Sequence, residues 1–322
     1  MTILITGAAG FIGSNLCEFF LLKGAKVLGL DNFATGHPHN LEDFINHPNF
    51  TFTEGDIRKL SDCQKATQAV DVVLHQAALG SVPRSLKDPA TTNAVNITGF
   101  VNMLEASRSN GVERFIYAAS SSTYGDSQRL PKVEDVIGAP LSPYAVTKYT
   151  NELYASVYAR SYGIKTIGLR YFNVFGRKQD PNGAYAAVIP KFIGQILKHQ
   201  NPIINGDGSY SRDFTYIDNV LQMNYLAATT RNEKAFNQVY NTAVGDRTTI
   251  LEMTKQLLQG LQKKDASLSD VTIAFGPERL GDIPHSQASI EKAQKLLGYI
   301  PSHNFTQGLE ASMDWYYKTL KK

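Results

Sequence analysis

Short apolar segments alternate with longer amphipathic segments along the first half of the chain. Five of the apolar segments have the length and composition of buried strands: Thr2–Thr6, Lys26–Leu30, Phe50–Thr53, Asp71–His75 and Glu113–Ala118. Between them, apolar residues recur at helical spacing, as in Ser14–Leu22 and Ala90–Asn110. Strands that alternate with helices predict an α/β fold with a parallel, doubly wound sheet. Such a sheet binds its ligand beyond the carboxyl ends of the strands.

The pattern changes in the second half of the chain. A sixth strand is predicted at Lys165–Leu169, and after it short strands, tight turns and helices follow one another. We therefore predict a large domain over residues 1–176 and a smaller α/β domain over residues 177–322. A segment near 215–245 is expected to join the first domain again, with a strand at Val239–Thr242.

The composition is that of an ordinary globular protein. Of 322 residues, 43% are hydrophobic and 19% are charged, and the net charge of +3 is spread without a basic cluster, so nucleic acid is not an expected partner. The most apolar helical segment, Phe11–Leu22, is too short to cross a bilayer and contains Glu18, so no membrane partner is expected. The two cysteines, Cys17 and Cys63, lack metal-like spacing, and the chain begins without an export signal. These features predict a cytoplasmic protein.

A glycine-rich turn joins the first strand to the first helix. Gly7, Gly10 and Gly13 have the spacing G-x-x-G-x-x-G. Glycines in such a turn let the backbone approach a pyrophosphate closely, and the helix N-terminus offers free N–H groups to it. Glycines also occur in turns for structural reasons alone, so the motif needs support from elsewhere in the chain.

The second and third strands supply that support. Asp31 follows the second strand, eighteen residues after Gly13. A carboxylate at this place can accept hydrogen bonds from both hydroxyls of an adenosine ribose and repels a 2′-phosphate, which favours NAD over NADP. A helix cap or a solvated loop residue is the alternative role for Asp31. After the third strand, the Asp56 carboxylate is placed to reach the adenine amino group.

The fourth strand ends in a group of mostly small residues. These leave room for a ligand across the sheet edge and are Gln76, Ala77 and Ala78. His75 closes the strand and is expected to be a packed core residue rather than a ligand or base, because no carboxylate is near it in the sequence. No metal site is predicted, since His37 and His39 form an isolated pair in a loop.

Two motifs that carry proton-transfer groups follow the fifth strand. Four hydroxyls lie in a row at its end, on Ser120, Ser121, Ser122 and Thr123, where they can bind sugar hydroxyls or share a proton. A helix then begins at Pro143, and it places Tyr144 and Lys148 one turn apart on the same face. An ammonium beside a phenol favours the phenolate, which brings a pKa of about 10 closer to neutral pH. Such a tyrosine can take a proton from an alcohol while a hydride leaves the same carbon.

Taken in order, the glycine turn, the strand-end aspartate, the serine-rich turn and Tyr-x-x-x-Lys resemble the extended short-chain dehydrogenase/reductase family. The segments Tyr171–Gly176 and Arg212–Phe214 match its nucleotide-sugar branch, so the resemblance covers essentially the whole chain. It implies a Rossmann-type domain that holds NAD and a C-terminal domain that holds a UDP-sugar, and with it a place in polysaccharide biosynthesis. The resemblance also implies further cofactor contacts, which are Phe11, Ile12, Asn32, Ile57, Asn96, Tyr144, Lys148 and Tyr171.

The resemblance also implies a homodimer. Many members of this branch are homodimers built through the helices near residues 95 and 150. On the second of these helices, Tyr154 and Tyr158 form an aromatic stripe, which is the expected interface.

The serine turn selects among the reactions of this branch. The family's 4,6-dehydratases carry an Asp-Glu pair after the catalytic hydroxyl, and UDP-glucuronate decarboxylases carry a Glu there, whereas Ser121 and Ser122 stand here. The resemblance therefore implies a 4-epimerase that works through a transient 4-keto sugar while NAD stays bound. In it Tyr144 takes the proton of the sugar C4 hydroxyl, and Ser120 hydrogen-bonds the reacting oxygen and relays the proton. Lys148, together with the positive nicotinamide, lowers the pKa of Tyr144 and binds the ribose.

The same resemblance assigns contacts to the UDP-sugar. Arg212 and Arg279 match the family's diphosphate positions, where planar guanidinium groups make paired hydrogen bonds; a surface ion pair is the alternative for either. Asn173 is expected near the sugar or the diphosphate. The other predicted contacts are Ser81, Ser120, Ser121, Tyr144, Val188, Asn205, Asp282 and Ser286.

Ser286 bears on the choice of sugar. Relatives confined to UDP-glucose and UDP-galactose can hold a tyrosine here, which closes the sugar pocket, whereas a serine leaves space for a 2-N-acetyl group. The chain thus resembles enzymes that interconvert UDP-N-acetylglucosamine and UDP-N-acetylgalactosamine, although Pro284 departs from the basic residue expected nearby. A UDP-glucose or UDP-glucuronate 4-epimerase and a non-catalytic NAD-binding regulator are the alternatives.

Overall fold

A parallel sheet of seven strands lies at the centre of the computed structural model, which describes residues 1–181, 187–278 and 283–321. Its strands are β1 Thr2–Thr6, β2 Lys26–Asp31, β3 Phe50–Glu54, β4 Val72–His75, β5 Arg114–Ser120, β6 Lys165–Tyr171 and β11 Gln238–Thr242. Their order in the sheet is β11-β6-β5-β4-β1-β2-β3, and neighbouring strands are parallel throughout. The order turns back between β1 and β4, which is where a doubly wound sheet opens a crevice for a ligand.

Helices cover both faces of this sheet. Their bounds are α1 Phe11–Leu22, α2 Leu60–Ala66, α3 Val82–Lys87, α4 Pro89–Asn93, α5 Gly99–Ser109, α6 Pro143–Tyr162, α7 Val188–Ile196, α8 Ile217–Thr229, α9 Ile250–Lys264, α10 Glu291–Leu297 and α11 Phe305–Leu320. A single π-helical turn, Ala94–Thr98, joins α4 to α5, so the helical segment expected at Ala90–Asn110 is continuous. The Rossmann-type α/β fold expected from the sequence is confirmed.

The core is divided between the two faces of the sheet. On one face, α1 and α8 pack Phe20 and Val220 against the strands, and on the other, α2, α5 and α6 contribute residues such as Phe100 and Met103. Full burial of each such side chain stabilises the fold by about 1.5–3 kcal/mol. These helices present one apolar stripe each, as their sequence period predicts. None of the helices in the three described ranges combines the length and hydropathy that a membrane span needs.

Short strand pairs organise the second half of the chain. They are β7 Val174–Phe175 with β10 Thr215–Tyr216, β8 Ile203–Asn205 with β13 Ala274–Gly276, and β9 Ser211–Arg212 with β12 Thr248–Thr249. Turns of 3-10 helix occur at Pro38–Asn40, Ser121–Tyr124, Glu233–Ala235 and Ala266–Asp270. From this half, β11 joins the main sheet beside β6, where the sequence predicts the strand Val239–Thr242. The division into two domains at residue 176 stays a prediction.

The strand register aligns the residues at the carboxyl edge of the sheet. Thr6 of β1 is opposite His75 of β4, and Ser120 of β5 is opposite Tyr171 of β6. Because all these strands are parallel, the segments that follow them emerge at the same edge. The sheet therefore brings the glycine turn, the serine turn and Tyr171 together, although they are far apart in sequence.

Candidate functional site

Glycine is required sterically at the turn between β1 and α1. Gly7 has φ +69°, and a Cβ on Gly13 would lie 2.0 Å from the Gly7 carbonyl oxygen. A Cβ on Gly7 itself would come within 2.9 Å of the Ala77 nitrogen. No side chain caps the N-terminus of α1, which begins directly after Gly10. The turn thus leaves a helix N-terminus open to an anion, as a pyrophosphate site requires.

Asp31 is held at the end of β2 by backbone donors. Its Oδ2 accepts from the Ala9 N–H at 2.9 Å and its Oδ1 from the Phe33 N–H at 2.8 Å. The carboxylate is nearly buried and lies in the wall of the same crevice as the glycine turn. Its second lone pairs remain suited to the ribose hydroxyls that the sequence predicts as partners.

Asp56 is hydrogen-bonded to an arginine that was not predicted as a site residue from the sequence. Arg58 donates to both Asp56 oxygens from Nε (3.0 Å each) and from Nη2, and Asn32 donates at 3.3 Å. These bonds lower the pKa of Asp56 to about 2, the hydrogen bond from Arg58 being the largest cause. Both Asp56 and Arg58 line the crevice. The Asp-x-Arg spacing was the available signal, because it puts a guanidinium on the same short loop as the carboxylate.

The crevice encloses about 540 Å³ along the carboxyl edge of the sheet. Every predicted cofactor residue except Asn96 lines it, and Ser120 does so too. Thr35, Gly80, Arg84 and Thr91 line it as well, and the sequence motifs predict no cofactor contact for these four. The glycine cradle, the uncapped helix and Asp31 at one end and the Tyr144 pair at the other fit a dinucleotide that runs along the sheet edge.

Asn96 lies outside the crevice lining and hydrogen-bonds to residues of the loop after β4 and of helix α6. Its Oδ1 accepts from the Leu79 N–H at 2.8 Å, and its Nδ2 donates to Leu79 O at 3.1 Å and to Thr147 Oγ1 at 3.1 Å. The side chain is buried and does not line the crevice. The structure therefore places Asn96 as a clamp between the loop after β4 and helix α6, whereas the sequence places it among the cofactor contacts.

Helix α6 presents Tyr144 and Lys148 to the crevice as predicted. The helix begins at Pro143, and the Ser142 hydroxyl caps it by accepting from the Ala145 N–H at 3.1 Å. Lys148 Nζ lies 6.0 Å from the centre of the Tyr144 ring and donates to the Ala118 carbonyl at 2.8 Å. Both residues and Ser120 line the same crevice.

The pKa values of this pair differ from the expectation. Burial raises the pKa of Tyr144, and a hydrogen bond with Ser120 opposes that rise in part. Burial also lowers the pKa of Lys148 to about 8. Burial of the pair opposes the expected lowering of the Tyr144 pKa, because the same desolvation penalises the phenolate and the ammonium. What remains of that expectation depends on the positive charge of a bound nicotinamide.

His75 is a packed core residue, as expected. It is 4% exposed and lies between Phe100 and Phe115, whose ring centres are 5.5 and 5.7 Å away. Its Nδ1 is 2.9 Å from Thr6 Oγ1, which also accepts from the Ala77 N–H. Burial, and secondarily Lys148, lower the pKa of His75 to about 3, so the ring is neutral and a poor base.

The predicted substrate residues are spread over several segments. Ser81, at φ +117°, uses its hydroxyl to cap α3 by accepting from the Arg84 N–H at 3.2 Å, and Ser121 follows Ser120 in the chain but does not line the crevice. Val188 begins α7, and Asn205 is exposed at the end of β8. Neither of these two nor Ser81 lines the crevice. Arg279 and Asp282 lie outside the described residues.

Asn173 and Ser286 are bonded to the segment Ser211–Asp213, which contains Arg212. Asn173 Nδ2 donates to Asp213 O at 3.0 Å, and the Ser286 N–H donates to Ser211 O at 3.0 Å. The Asp213 carboxyl group is fully buried and accepts from three backbone N–H groups, those of residues 244, 245 and 288. Burial raises its pKa to about 7 against the opposing effect of these bonds. This carboxyl group, which the sequence analysis did not single out, joins three chain segments of the second half.

The comparisons with known proteins agree with this geometry. Residues 3–243 match the model of the NAD dependent epimerase/dehydratase family. A UDP-glucose 4-epimerase of Mycolicibacterium smegmatis is 32% identical over 318 residues, which are 98% of each chain. A UDP-N-acetylglucosamine 4-epimerase from Methanobrevibacter ruminantium, solved with UDP-N-acetylmuramic acid, has a TM-score of 0.91 and 36% identity over 98% of each chain. A UDP-glucuronic acid 4-epimerase from Bacillus cereus, solved with UDP-glucuronic acid and NAD, has a TM-score of 0.88 and 34% identity over 99% of each chain.

Proposed function

Because this chain belongs to the NAD-dependent epimerase/dehydratase family, we propose that it is a UDP-sugar 4-epimerase that interconverts UDP-N-acetylglucosamine and UDP-N-acetylgalactosamine. UDP-glucose and UDP-galactose are further candidate substrates, and UDP-glucuronate is the alternative. The similarity to UDP-glucose, UDP-N-acetylglucosamine and UDP-glucuronic acid 4-epimerases supports the general assignment, a UDP-sugar 4-epimerase that uses NAD. The choice of an acetylated substrate is argued from residues of this chain.

The charges of the crevice favour epimerisation over elimination. Among the described residues that line it, the carboxylates are Asp31 and Asp56, and both lie toward the glycine turn. Tyr144, Lys148 and Ser120 of the serine turn line the same crevice and bring no carboxylate to it. Elimination or decarboxylation needs an additional acid or base at this end, whereas epimerisation needs one proton carrier and a hydride acceptor. This distribution of carboxylates is the observation that carries the proposed reaction.

Different residues of the chain would bind the cofactor and transfer the proton. The glycine turn and the start of α1 would hold the pyrophosphate of NAD, Asp31 the adenosine ribose, Asp56 the adenine and Lys148 the nicotinamide ribose. NAD, when bound, would supply the hydride acceptor that oxidation and re-reduction at C4 of the sugar need. Tyr144 takes the proton of the C4 hydroxyl and later gives it back, and Ser120 hydrogen-bonds the same oxygen.

Ser286 supports the acetylated substrate. It is partly buried, and its backbone is fixed to Ser211 beside Arg212, the predicted diphosphate residue. A small side chain here leaves volume that a 2-N-acetyl group can fill. We expect Ser286→Tyr to depress kcat/KM for the acetylated substrates by about tenfold or more while UDP-glucose is affected less, because a filled pocket rejects the larger sugar. Unchanged selectivity would remove this argument.

The direct test is an incubation of the purified protein with UDP-N-acetylglucosamine. We expect the 4-epimer to accumulate to equilibrium, detected by proton NMR, without net formation of NADH at 340 nm. Parallel incubations with UDP-glucose and UDP-glucuronate rank the alternatives. Tyr144→Phe is the matched control and should lose most of the activity while it keeps NAD. An inactive wild-type protein that binds NAD and UDP-sugar would favour the alternative of a non-catalytic regulator.

We further propose that the protein is a cytoplasmic homodimer. The face of α6 turned away from the sheet exposes apolar side chains, including Leu153, Tyr154 and Val157, which are 39–50% exposed. Exposed apolar side chains on one helix face favour contact with a second copy of the chain. The free, buried thiols of Cys17 and Cys63 are in keeping with a reducing compartment.

A further inference from the structure

Two amide side chains and a phenol form a closed ring of hydrogen bonds beside the crevice. Tyr171 Oη donates to Gln76 Oε1 at 3.0 Å, Gln76 Nε2 donates to Asn224 Oδ1 at 3.3 Å, and Asn224 Nδ2 donates to Tyr171 Oη at 2.9 Å. Gln76 and Tyr171 line the crevice, whereas Asn224 lies on α8, fully buried and outside the lining. The ring therefore connects two residues that a ligand can touch to one that it cannot.

A backbone carbonyl fixes the direction of every bond in this ring. Asn224 Nδ2 lies 2.8 Å from Val220 O, which can only accept, so the amide nitrogen of Asn224 is the atom that faces this carbonyl. The amide oxygen of Asn224 then faces Gln76, so Gln76 turns its nitrogen toward Asn224 and its oxygen toward Tyr171. Tyr171 is thereby the donor to Gln76 and the acceptor from Asn224. Each side chain of the ring has one orientation, and it is set from Asn224.

The ring uses most of the polar hydrogens that its members carry. Both hydrogens of the Asn224 amide and the hydroxyl hydrogen of Tyr171 are bonded, and the ring takes one of the two hydrogens on Gln76 Nε2. Burial raises the pKa of Tyr171 to about 12, and the bonds with Asn224 and Gln76 oppose this rise in part, so the phenol keeps its proton at neutral pH. Gln76 thus has one further N–H to offer to an oxygen atom in the crevice.

Gln76 lies where the order of the sheet turns back between β1 and β4. Its backbone N–H donates to Thr6 O at 3.2 Å, and a Cβ on Gly7 would lie 3.1 Å from its carbonyl carbon. Gln76 is therefore next to the glycine turn, and its side chain is bonded to Tyr171 farther along the crevice. A dinucleotide that runs from the glycine turn toward Tyr144 passes this residue, and its phosphate, ribose and carboxamide oxygens are all acceptors.

We propose that Asn224 is a positioning residue for the dinucleotide, because through the ring it holds the amide of Gln76 in the orientation that keeps an N–H available for an oxygen of the cofactor. Without Asn224, the amide of Gln76 is free to turn over and to present its oxygen instead, which is an acceptor like the cofactor oxygens. Cofactor binding does not depend on which sugar is epimerised. The inference therefore stands apart from the proposed function.

The test measures how fast the holoenzyme releases NAD. Protein loaded with ³²P-labelled NAD⁺ is chased with excess unlabelled NAD⁺, and we expect Asn224→Leu to speed release by about three- to tenfold, which is the effect of one hydrogen bond. Asn219→Leu is the matched control. Asn219 lies on the same helix and is equally buried, but it bonds to Ser302 and His303 and not to crevice residues, so its variant should release NAD at the wild-type rate.

Gln76→Leu shows whether Asn224 acts through Gln76. It should speed release by about the same factor as Asn224→Leu. Adding Asn224→Leu to Gln76→Leu should then change the rate little, because the amide that Asn224 orients is already gone. Factors that multiply in the double variant would contradict the inference, since they would mean that the two residues act independently.

Wild-type release by Asn224→Leu would overturn the inference. Equally fast release by Asn219→Leu would overturn it too, because a merely structural role for the buried amides of α8 predicts that equality. If Asn224→Leu does not fold, Asn224→Ser takes its place. The serine hydroxyl can bond to Val220 O, as serines in helices do, but it is too short to complete the ring, so the same faster release is expected.

Discussion

At the scale of single residues, Lys148 contributes a charge to the site, and the burial of that charge lowers the stability of the fold. The residue is 4% exposed, and its ammonium donates to the Ala118 carbonyl. Burial favours the neutral amine and lowers the pKa to about 8 from the usual 10.5. A difference of 2.5 units corresponds to about 3 kcal/mol of lost stability as long as the lysine is charged in both the folded and unfolded states.

We expect Lys148→Met to remove this cost and abolish activity. Below pH 8 the wild-type protein carries the full penalty, and between pH 8 and 10.5 its free energy of unfolding rises, because the folded protein loses a proton that the unfolded chain retains. The variant should be more stable at pH 7 and lack that rise, as measured by urea unfolding at matched NAD content. Lys26→Met, at an exposed strand end, is the control and should follow the wild type. Parallel pH profiles for wild type and Lys148→Met would contradict the argument.

At the scale of elements, helix α6 is fixed to the sheet by a buried ion pair. Glu152 continues the face of Tyr144 and Lys148 by one further turn, and Arg170 of β6 donates to its two oxygens at 2.9 and 2.7 Å. The third arm of Arg170 donates to Glu134 O at 3.0 Å, and the guanidinium lies 4.8 Å from the centre of a tyrosine ring. The pair thereby sets the rotation of the helix that carries the reactive tyrosine.

Glu152→Gln should destabilise the protein by about 3–5 kcal/mol, because it leaves the Arg170 charge buried without a counter-charge. Glu233→Gln, which breaks the exposed pair with Lys165, is the control and should cost less than about 1 kcal/mol. Adding Arg170→Met to Glu152→Gln should recover part of the loss. The measurement is the free energy of unfolding in urea. Equal losses for the buried and the exposed pair would show that burial of the charges is not what matters.

At the scale of the whole molecule, the outer face of α6 is left without a covering element among the described residues. Val146, Leu153 and Val157 lie at helical spacing on this face and are 44–50% exposed, and Tyr154 is beside them. Tyr158, the other residue of the predicted aromatic stripe, is partly buried, and its hydroxyl lies 3.3 Å from Glu105 Oε2 of α5. The exposed stripe is therefore mainly aliphatic, with one tyrosine.

If this face is the dimer interface, Val157→Glu should convert the protein to a monomer, because it places a charge in a contact that excludes water. Sedimentation velocity measures the change, and circular dichroism checks that the fold is kept. Leu22→Glu is the control, since Leu22 is 81% exposed on α1 and away from this face. A wild-type monomer, or a dimer that Val157→Glu leaves intact, would exclude this interface.

The sequence alone determined the sheet, the glycine turn and the Tyr144 helix, because each depends on local spacing: apolar period, absence of Cβ atoms, and side chains one turn apart. Tertiary structure decided what depends on several segments at once. Burial, which no local pattern reports, raises the pKa of Tyr144 and lowers the pKa of Lys148. Packing turned Asn96 into a clamp and brought Arg170 under α6. It also joined two distant backbone segments, at residues 244–245 and 288, on the buried carboxyl group of Asp213, because only the folded chain brings such groups within hydrogen-bond distance.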